Sequence, residues 1–385
     1  MNFPEPTLPS AAATAPSMTV PYVDLAGRLA PLKERLLEAV GKVLDHGQFV
    51  FGSELREFEK RFAAACGVPY AVGVNSGTDA LILALRALGV GPGDEVITAP
   101  NSYVATAAAI ALTGARPVPA DVGDDMNIDP EQIEAKIGPR TKALLPVHLT
   151  GRPAEMDAIL DIARRCGLFV VEDAAQAVLA EYGGRRVGSF GDAGAFSLHP
   201  LKTLGCCGDG GVITTRDESL YKSLCRLRNL GLEDRDHSRT WSGNSRLDSM
   251  QAALLLVIMD SLDGWTDRRR ENARFYLEAL ADVPGLILPG ESDRERCVYH
   301  TFIIRADRRD ELQQFLKSRG VEAPVHYPVP IHLHPAAAGL GHGRGAFPKA
   351  ETQADRILTL PIHSLLTREQ REHVSRSIRE FYHTP

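Results

Sequence analysis

The chain has 385 residues, of which 44% are hydrophobic and 24% charged, with a net charge of −6 at pH 7. The length leaves room for two domains, the composition is that of a globular protein, and an acidic balance (pI near 6.1) argues against nucleic acid as a main partner. No apolar run reaches the ~18 residues of a membrane span; the longest, 105–112 and 252–259, both stop at polar residues. Residues 1–18 are rich in Pro, Ala, Ser and Thr, without a basic start or long apolar core, and read as a disordered tail, not a signal peptide. Six cysteines without a C-x-x-C pair suit a reducing, cytoplasmic setting.

Residues 19–50 read as a helical segment, expected to pack with the smaller of two domains. Within it, Leu32, Leu36, Leu37, Val40, Val43 and Leu44 follow helical spacing, and Gly47 ends the run. A second helix begins from Ser53 as N-cap, places Leu55, Phe58 and Phe62 on one face, and stops at Gly67. Strands then alternate with helices: strands at 71–74, 96–99, 117–120, 143–147, 168–171, 193–197 and 212–214, helices at 78–88, 104–112, 130–137 and 154–166. That order predicts an α/β large domain over 51–263, with a mainly parallel seven-stranded sheet between helices. Ligands of such sheets bind beyond the carboxyl ends of the strands. Helical runs at 249–262 and 267–281 lead into a smaller α+β domain over 264–385, with a strand at 299–305, a helix at 309–318 and a rigid, histidine-rich loop at 326–335.

The residues that follow each strand carry the chemistry. After the first come Ser76, Gly77 and Thr78 at a helix start, which suits either a plain N-cap or a phosphate held by free N–H groups and the helix dipole. After the second, Tyr103 either packs or stacks on a flat ring. Asp173 ends a buried run, as a helix cap or as the carboxylate partner of a cation. Ser197 ends its strand five residues before Lys202, which stands among apolar and small residues in the loop P-L-K-T-L-G. Desolvation lowers an amine's pKa and yields the neutral nucleophile that a Schiff base needs. Asp together with such a lysine is the pairing that pyridoxal phosphate requires.

Several motifs together resemble the DegT/DnrJ/StrS sugar aminotransferases, of the aspartate aminotransferase fold (fold type I). They are G-Q-F-V-F-G (47–52), N-S-G-T-D-A-L (75–81), E-D-A-A-Q-A (172–177), G-S-F-G-D-A-G-A-F-S (188–197), P-L-K-T-L-G (200–205), G-N-S-R-L-D-S-M-Q-A-A (243–253) and H-Y-P-V-P-I-H (326–332). The resemblance implies a PLP-dependent enzyme that moves an amino group from glutamate to a keto sugar, most simply a nucleotide-linked one, in amino sugar biosynthesis. It implies that Lys202 holds the cofactor and moves the proton, that Asp173 faces the ring nitrogen, and that Gln176 meets the ring's phenolic oxygen. Tyr103 would stack on the ring, and Gly77, Thr78 and Ser197 would bind its phosphate. Asn244 would reach the phosphate of a neighbouring subunit, so the resemblance implies a homodimer with shared sites. His199, His326, Tyr327 and His332 are expected in the substrate cleft.

The chain departs from the family pattern at His199 and Thr150, positions expected near the sugar. Arg152 is expected in a surface salt bridge. Lys202 argues against the sister branch that dehydrates sugars and carries His at this position, and the set Lys202, Asp173 and Gln176 argues against a regulator without turnover. A cyclitol is the alternative acceptor. No metal is expected, because His332 and His334 with Cys206 and Cys207 lack structural-zinc spacing.

Overall fold

In the computed structural model, which describes residues 18–383, all seven expected strands join one sheet. They are β1 (Tyr70–Val74), β2 (Glu95–Thr98), β3 (Arg116–Pro119), β4 (Thr141–Leu145), β5 (Phe169–Asp173), β6 (Ala193–Ser197) and β7 (Gly211–Thr215). The sheet order is β1-β7-β6-β5-β4-β2-β3. From β3 to β6 every neighbouring pair is parallel, while β7 runs antiparallel to both β6 and β1. Apart from Met18, the tail expected over 1–18 lies outside the described residues.

Helices cover both faces because the strands are apolar on both sides. On one face lie α1 (Lys33–His46), α2 (Ser53–Cys66) and, further along the chain, α8 (Ser249–Met259). Phe58 and Phe62 of α2 reach Phe196 of β6, with the Phe62 and Phe196 rings 5.0 Å apart and edge-on. On the other face α3 (Gly77–Ala87) and α7 (Glu218–Leu227) bury Leu81, Leu85, Leu220 and Leu224. Between these in sequence fall α4 (Val104–Leu112), α5 (Pro130–Glu134) and α6 (Met156–Cys166). The helix expected over 130–137 is shortened to α5, since Gly138 and Pro139 leave only tight turns after Glu134. Ser53 is the first helical residue of α2 and not its N-cap; Gly52 takes that place in an extended conformation, its N–H donated to Ser249 Oγ at 2.9 Å.

The segment 19–50 divides between the two domains instead of packing with the small one. Val20 bridges to Val321 of the small domain, whereas Leu32 and Leu36 join the core of the large domain beside α8. The amphipathic stripe of α1 finds its partner in α8, which is buried nearly all round. The boundary expected at residue 264 falls inside α9 (Leu262–Ala279): Leu262 belongs to the large-domain core, while Ala273 and Tyr276 belong to the small one. A turn at Asp260, held by Arg35 (2.5 Å) and Arg61 (2.8 Å), separates α8 from α9. The small domain pairs strands Leu286–Ile287, Phe302–Ala306 and Ile357–Leu360 in an antiparallel sheet, flanked by helices Arg309–Ser318 and Arg368–His383.

One buried carboxylate sets the geometry at the end of β5. Glu172 accepts N–H donors from Gly188 (2.7 Å), Phe190 (2.8 Å) and Gly191 (2.9 Å), and lies 3.0 Å from His148 Nε2. The Ala154 N–H donates to His148 Nδ1 at 3.0 Å, which leaves Nε2 to donate to Glu172. Glu172→Ala strands four buried donors and is expected to destabilise the fold by about 3–5 kcal/mol. Urea unfolding followed by circular dichroism measures this, and an unchanged midpoint would show that the turn at 188–191 holds itself.

Candidate active site

The carboxyl ends of β1, β2, β5 and β6 open with the chain after β4 into one cleft of about 440 Å³. Lys202 stands in a tight loop, closed by Lys202 N–H to the His199 carbonyl (2.8 Å) and Cys206 N–H to the Leu198 carbonyl (2.7 Å). Its side chain keeps an opening to the cleft, but protein crowds the amine. Burial pulls the amine down from 10.5 to about 8, and the Asp173 charge pulls weakly the other way. Asp173 is 4% exposed. It accepts the Thr106 hydroxyl at 2.8 Å and the Ala175 N–H at 3.2 Å, and Ser102 in turn donates to Thr106 at 2.8 Å. Burial pushes the Asp173 carboxyl up in spite of these bonds and of Lys202.

At one end of the cleft, α3 begins with Ser76 as N-cap, its hydroxyl accepting Asp79 N–H at 3.1 Å. The N-cap and anion-cradle roles coexist, because Gly77 and Thr78 still face the cleft beside Ser197. Glycine is required where this turn is pressed against the sheet. A Cβ on Gly77 would lie 2.6 Å from Ser197 Cβ, and one on Gly211 only 2.3 Å from the Ser76 carbonyl oxygen.

Gln176 has a settled orientation. Its Oε1 accepts Thr150 N–H at 2.8 Å and its Nε2 donates to the Tyr327 hydroxyl at 3.3 Å, leaving one N–H for a ligand oxygen. Tyr103, 54% exposed, lies with its ring 5.3 Å from that of Tyr327. His326 lies 3.0 Å from Thr359 Oγ1, and burial drops its imidazole to about 4, so it is neutral at neutral pH. His199 stands exposed at the rim.

Ten of the expected residues thus share one cleft: Gly77, Thr78, Tyr103, Asp173, Gln176, Ser197, His199, Lys202, His326 and Tyr327. His332 does not. It is buried against Phe347 and bonded to Glu351 at 3.0 Å, because the short turn Ile331–Leu333 carries it inward. Asn244 lies exposed outside the cleft, bridged through its backbone to Asn229. Thr150 touches the site only through its N–H and lines a separate small pocket. Arg152 does form a salt bridge, doubly to Glu295 (3.0 and 3.1 Å), but partly buried and not at the surface.

Sequence reasoning missed Tyr22, Ser102, Thr106, His300 and Thr301 as cleft residues. Thr106 carried a signal, as a polar residue in the first turn of an otherwise apolar helix, with Ser102 four residues before it. Tyr22 and His300 followed no large-domain strand and carried none.

The amine and carboxylate give a directional test. In cofactor-free protein, the rate of imine formation between Lys202 and added pyridoxal phosphate should rise with pH through a midpoint near 8, because only the neutral amine attacks. Asp173→Asn removes the charge that raises this value and should move the midpoint down. Stopped-flow absorbance reads both; a midpoint near the unperturbed 10.5 would show a solvated lysine.

Comparison with known proteins points to one family. The profile of the DegT/DnrJ/EryC1/StrS aminotransferase family matches residues 31–379. A dTDP-3-amino-3,4,6-trideoxy-alpha-D-glucose transaminase of Streptomyces venezuelae is 47% identical, over 94% of this chain and 96% of its own. A UDP-N-acetyl-3-dehydro-alpha-D-glucosamine 3-aminotransferase of Acidithiobacillus ferrooxidans is 42% identical, over 94% of this chain and 98% of its own. The crystal structure of S. venezuelae DesV in complex with a ketimine intermediate superposes with a TM-score of 0.93 at 47% identity, covering 95% of this chain and 99% of that one. The cleft fits pyridoxal phosphate in its own right: a buried amine, a buried carboxylate, an amide N–H to spare and a helix start too close for a Cβ. The chain belongs to the DegT/DnrJ/EryC1/StrS aminotransferase family, and its cofactor is pyridoxal phosphate.

Proposed function

We propose that this aminotransferase moves the amino group of glutamate to carbon 3 of a nucleotide-linked keto sugar, as a cytoplasmic homodimer whose two sites share residues. The observation that carries the acceptor is the likeness, over nearly the whole chain, to two transaminases named for 3-amino nucleotide sugars. Six free cysteines suit the cytoplasm.

Bound pyridoxal phosphate supplies the electron sink and carries the amino group between the two stages. Lys202 anchors it covalently. With its amine free, Lys202 Nζ would take the proton from the donor's α-carbon and hand it on to the cofactor, and in the second stage would carry one back to the sugar carbon. Asp173 sets its charge against the ring nitrogen, and Gln176 offers its remaining N–H to the phenolic oxygen. Gly77, Thr78 and Ser197 hold the phosphate at the positive end of α3. Tyr103 covers the ring and excludes water from one face. His199, His326 and Tyr327 contact the sugar from the mouth of the cleft. Asn244, exposed on its own subunit, completes the phosphate site of the other.

Excess glutamate should convert the yellow lysine-bound cofactor to its colourless amine form, and a dTDP- or UDP-linked 3-keto sugar should restore the colour where a 4-keto sugar does not. Lys202→Ala should show no yellow band. A band that ignores glutamate would overturn the donor, and restoration by the 4-keto sugar alone would overturn the position. Sharing of sites has its own measurement. Lys202→Ala and Asn244→Ala proteins, each inactive, should regain activity when unfolded together and refolded as a mixture, because mixed dimers hold one intact site. Failure of the mixture to gain activity would place Asn244 outside the partner's site.

A further inference from the structure

Arg28 is a buried cation that neither the sequence motifs nor the cleft accounts for. It is 6% exposed, and its Nε is enclosed without a hydrogen-bond partner. No carboxylate among the described residues pairs with it. Instead Nη1 donates to the Lys202 carbonyl at 3.0 Å and Nη2 to the Pro200 carbonyl at 2.9 Å, while the guanidinium lies 5.2 Å from the centre of the Trp265 ring. Burial lowers its pKa, the sign of a charge kept out of water at a cost.

The loop it grips is anchored by the buried Thr203 and Leu204 but has no regular backbone frame. Residues 199–205 form no helix or strand, and their own backbone bonds amount to one turn at Lys202 and one closure at Cys206. A planar fork that takes the carbonyls of residues 200 and 202 fixes the 200–201 and 202–203 peptide planes, which flank Leu201 and Lys202, and with them the direction of the Lys202 side chain. The fork comes from a strap that is itself tied down at its far end. Val20 donates to Gly320 (2.8 Å) and accepts from Glu322 (3.0 Å), Tyr22 N–H donates to the Glu322 carboxylate (2.9 Å), and Asp24 caps the short helix Leu25–Leu29 that bears Arg28.

We propose that Arg28 is a positioning residue for Lys202, through which the strap from the small domain holds the nucleophile in register with the cleft. This rests on Lys202 as the cofactor-bearing amine. An arginine is suited to it because a lysine, with a single ammonium, cannot match two carbonyls in one plane.

The measurement is imine formation in cofactor-free protein, which needs no turnover. Arg28→Met keeps the length and apolar packing on Trp265 and removes an unpaired buried charge, so the chain should still fold. It should form the imine about 10–100-fold more slowly, the loss that goes with misplacing a reacting group by about 1 Å. Millimolar guanidinium ion should restore part of the rate, and Arg28→Lys should fall between the two. In the loaded enzyme kcat should fall while the KM for the sugar stays unchanged. A wild-type imine rate in Arg28→Met would overturn the proposal. So would a slow rate that guanidinium does not restore and that falls together with the melting temperature, since that is a purely structural role. If Arg28→Met does not fold, Arg28→Lys decides alone, and a wild-type rate there overturns it. Absence of any Lys202-dependent imine in the unmodified protein would instead remove the cofactor assignment on which the proposal stands.

Discussion

Two adjacent acids at the end of β5 point to opposite faces of the sheet, and the site depends on that alternation. Glu172 spends its carboxylate on three backbone N–H groups and His148, and so ties the chain after β4 to the turn that leads into β6. Asp173, one residue on, faces the cleft with only the Thr106 hydroxyl and the Ala175 N–H. Burial therefore weakens the charged form of Asp173, as it does that of Lys202. Each would help the other by attraction, yet for both the loss of water is the larger effect. Such an arrangement survives because the sheet and the lysine loop over-determine it, and a cationic ring beside Asp173 would relieve it.

The sheet also sorts the cleft by charge. β7 runs against its neighbours, so its first residue, Gly211, lies at the same end as the last residues of β1 and β6. The absence of a side chain there lets the start of α3 close onto the sheet, which aims the helix's positive end at one end of the cleft. Under the proposed function, phosphate at that end and a ring nitrogen at Asp173 would fix both ends of one flat ligand. The lysine loop has no such sheet to define it, and the guanidinium of Arg28 supplies the constraint from outside.

The sequence made one group of cleft residues legible, Gly77, Thr78, Tyr103, Asp173, Gln176, Ser197 and Lys202, because each lies at or just beyond the end of a strand of strong apolar pattern. All seven strands formed within two residues of where the pattern put them, and Asp173, Ser197 and the start of α3 came with them. What stayed illegible was Tyr22 and His300, which line the cleft from outside the large-domain strands, and Arg28, which grips the lysine loop from behind it. Arg28 and Tyr22 arrive from before the first strand, and His300 from the small domain, held by Arg269 donating to the carbonyls of Tyr299 (3.1 Å) and His300 (3.2 Å). His332 was misplaced for the same reason in reverse: proximity in sequence to His326 says nothing about a turn that sends one side chain to the cleft and the other to Glu351.

The histidines that do reach the cleft bear on how it handles protons. Burial lowers the pKa values of His300 and His326, and the nearby charge of Lys202 lowers them further, His326 to about 4 and His300 well below 6.5. Both are therefore neutral across the range in which the amine of Lys202, near 8, gains and loses its proton. Had either been exposed, it would titrate near neutrality and compete as a base beside the reacting carbon. Burial keeps both imidazoles as neutral hydrogen-bonding walls of the cleft. The buried imidazoles thus add polarity to the cleft without charge, beside the amine of Lys202 and the carboxylate of Asp173.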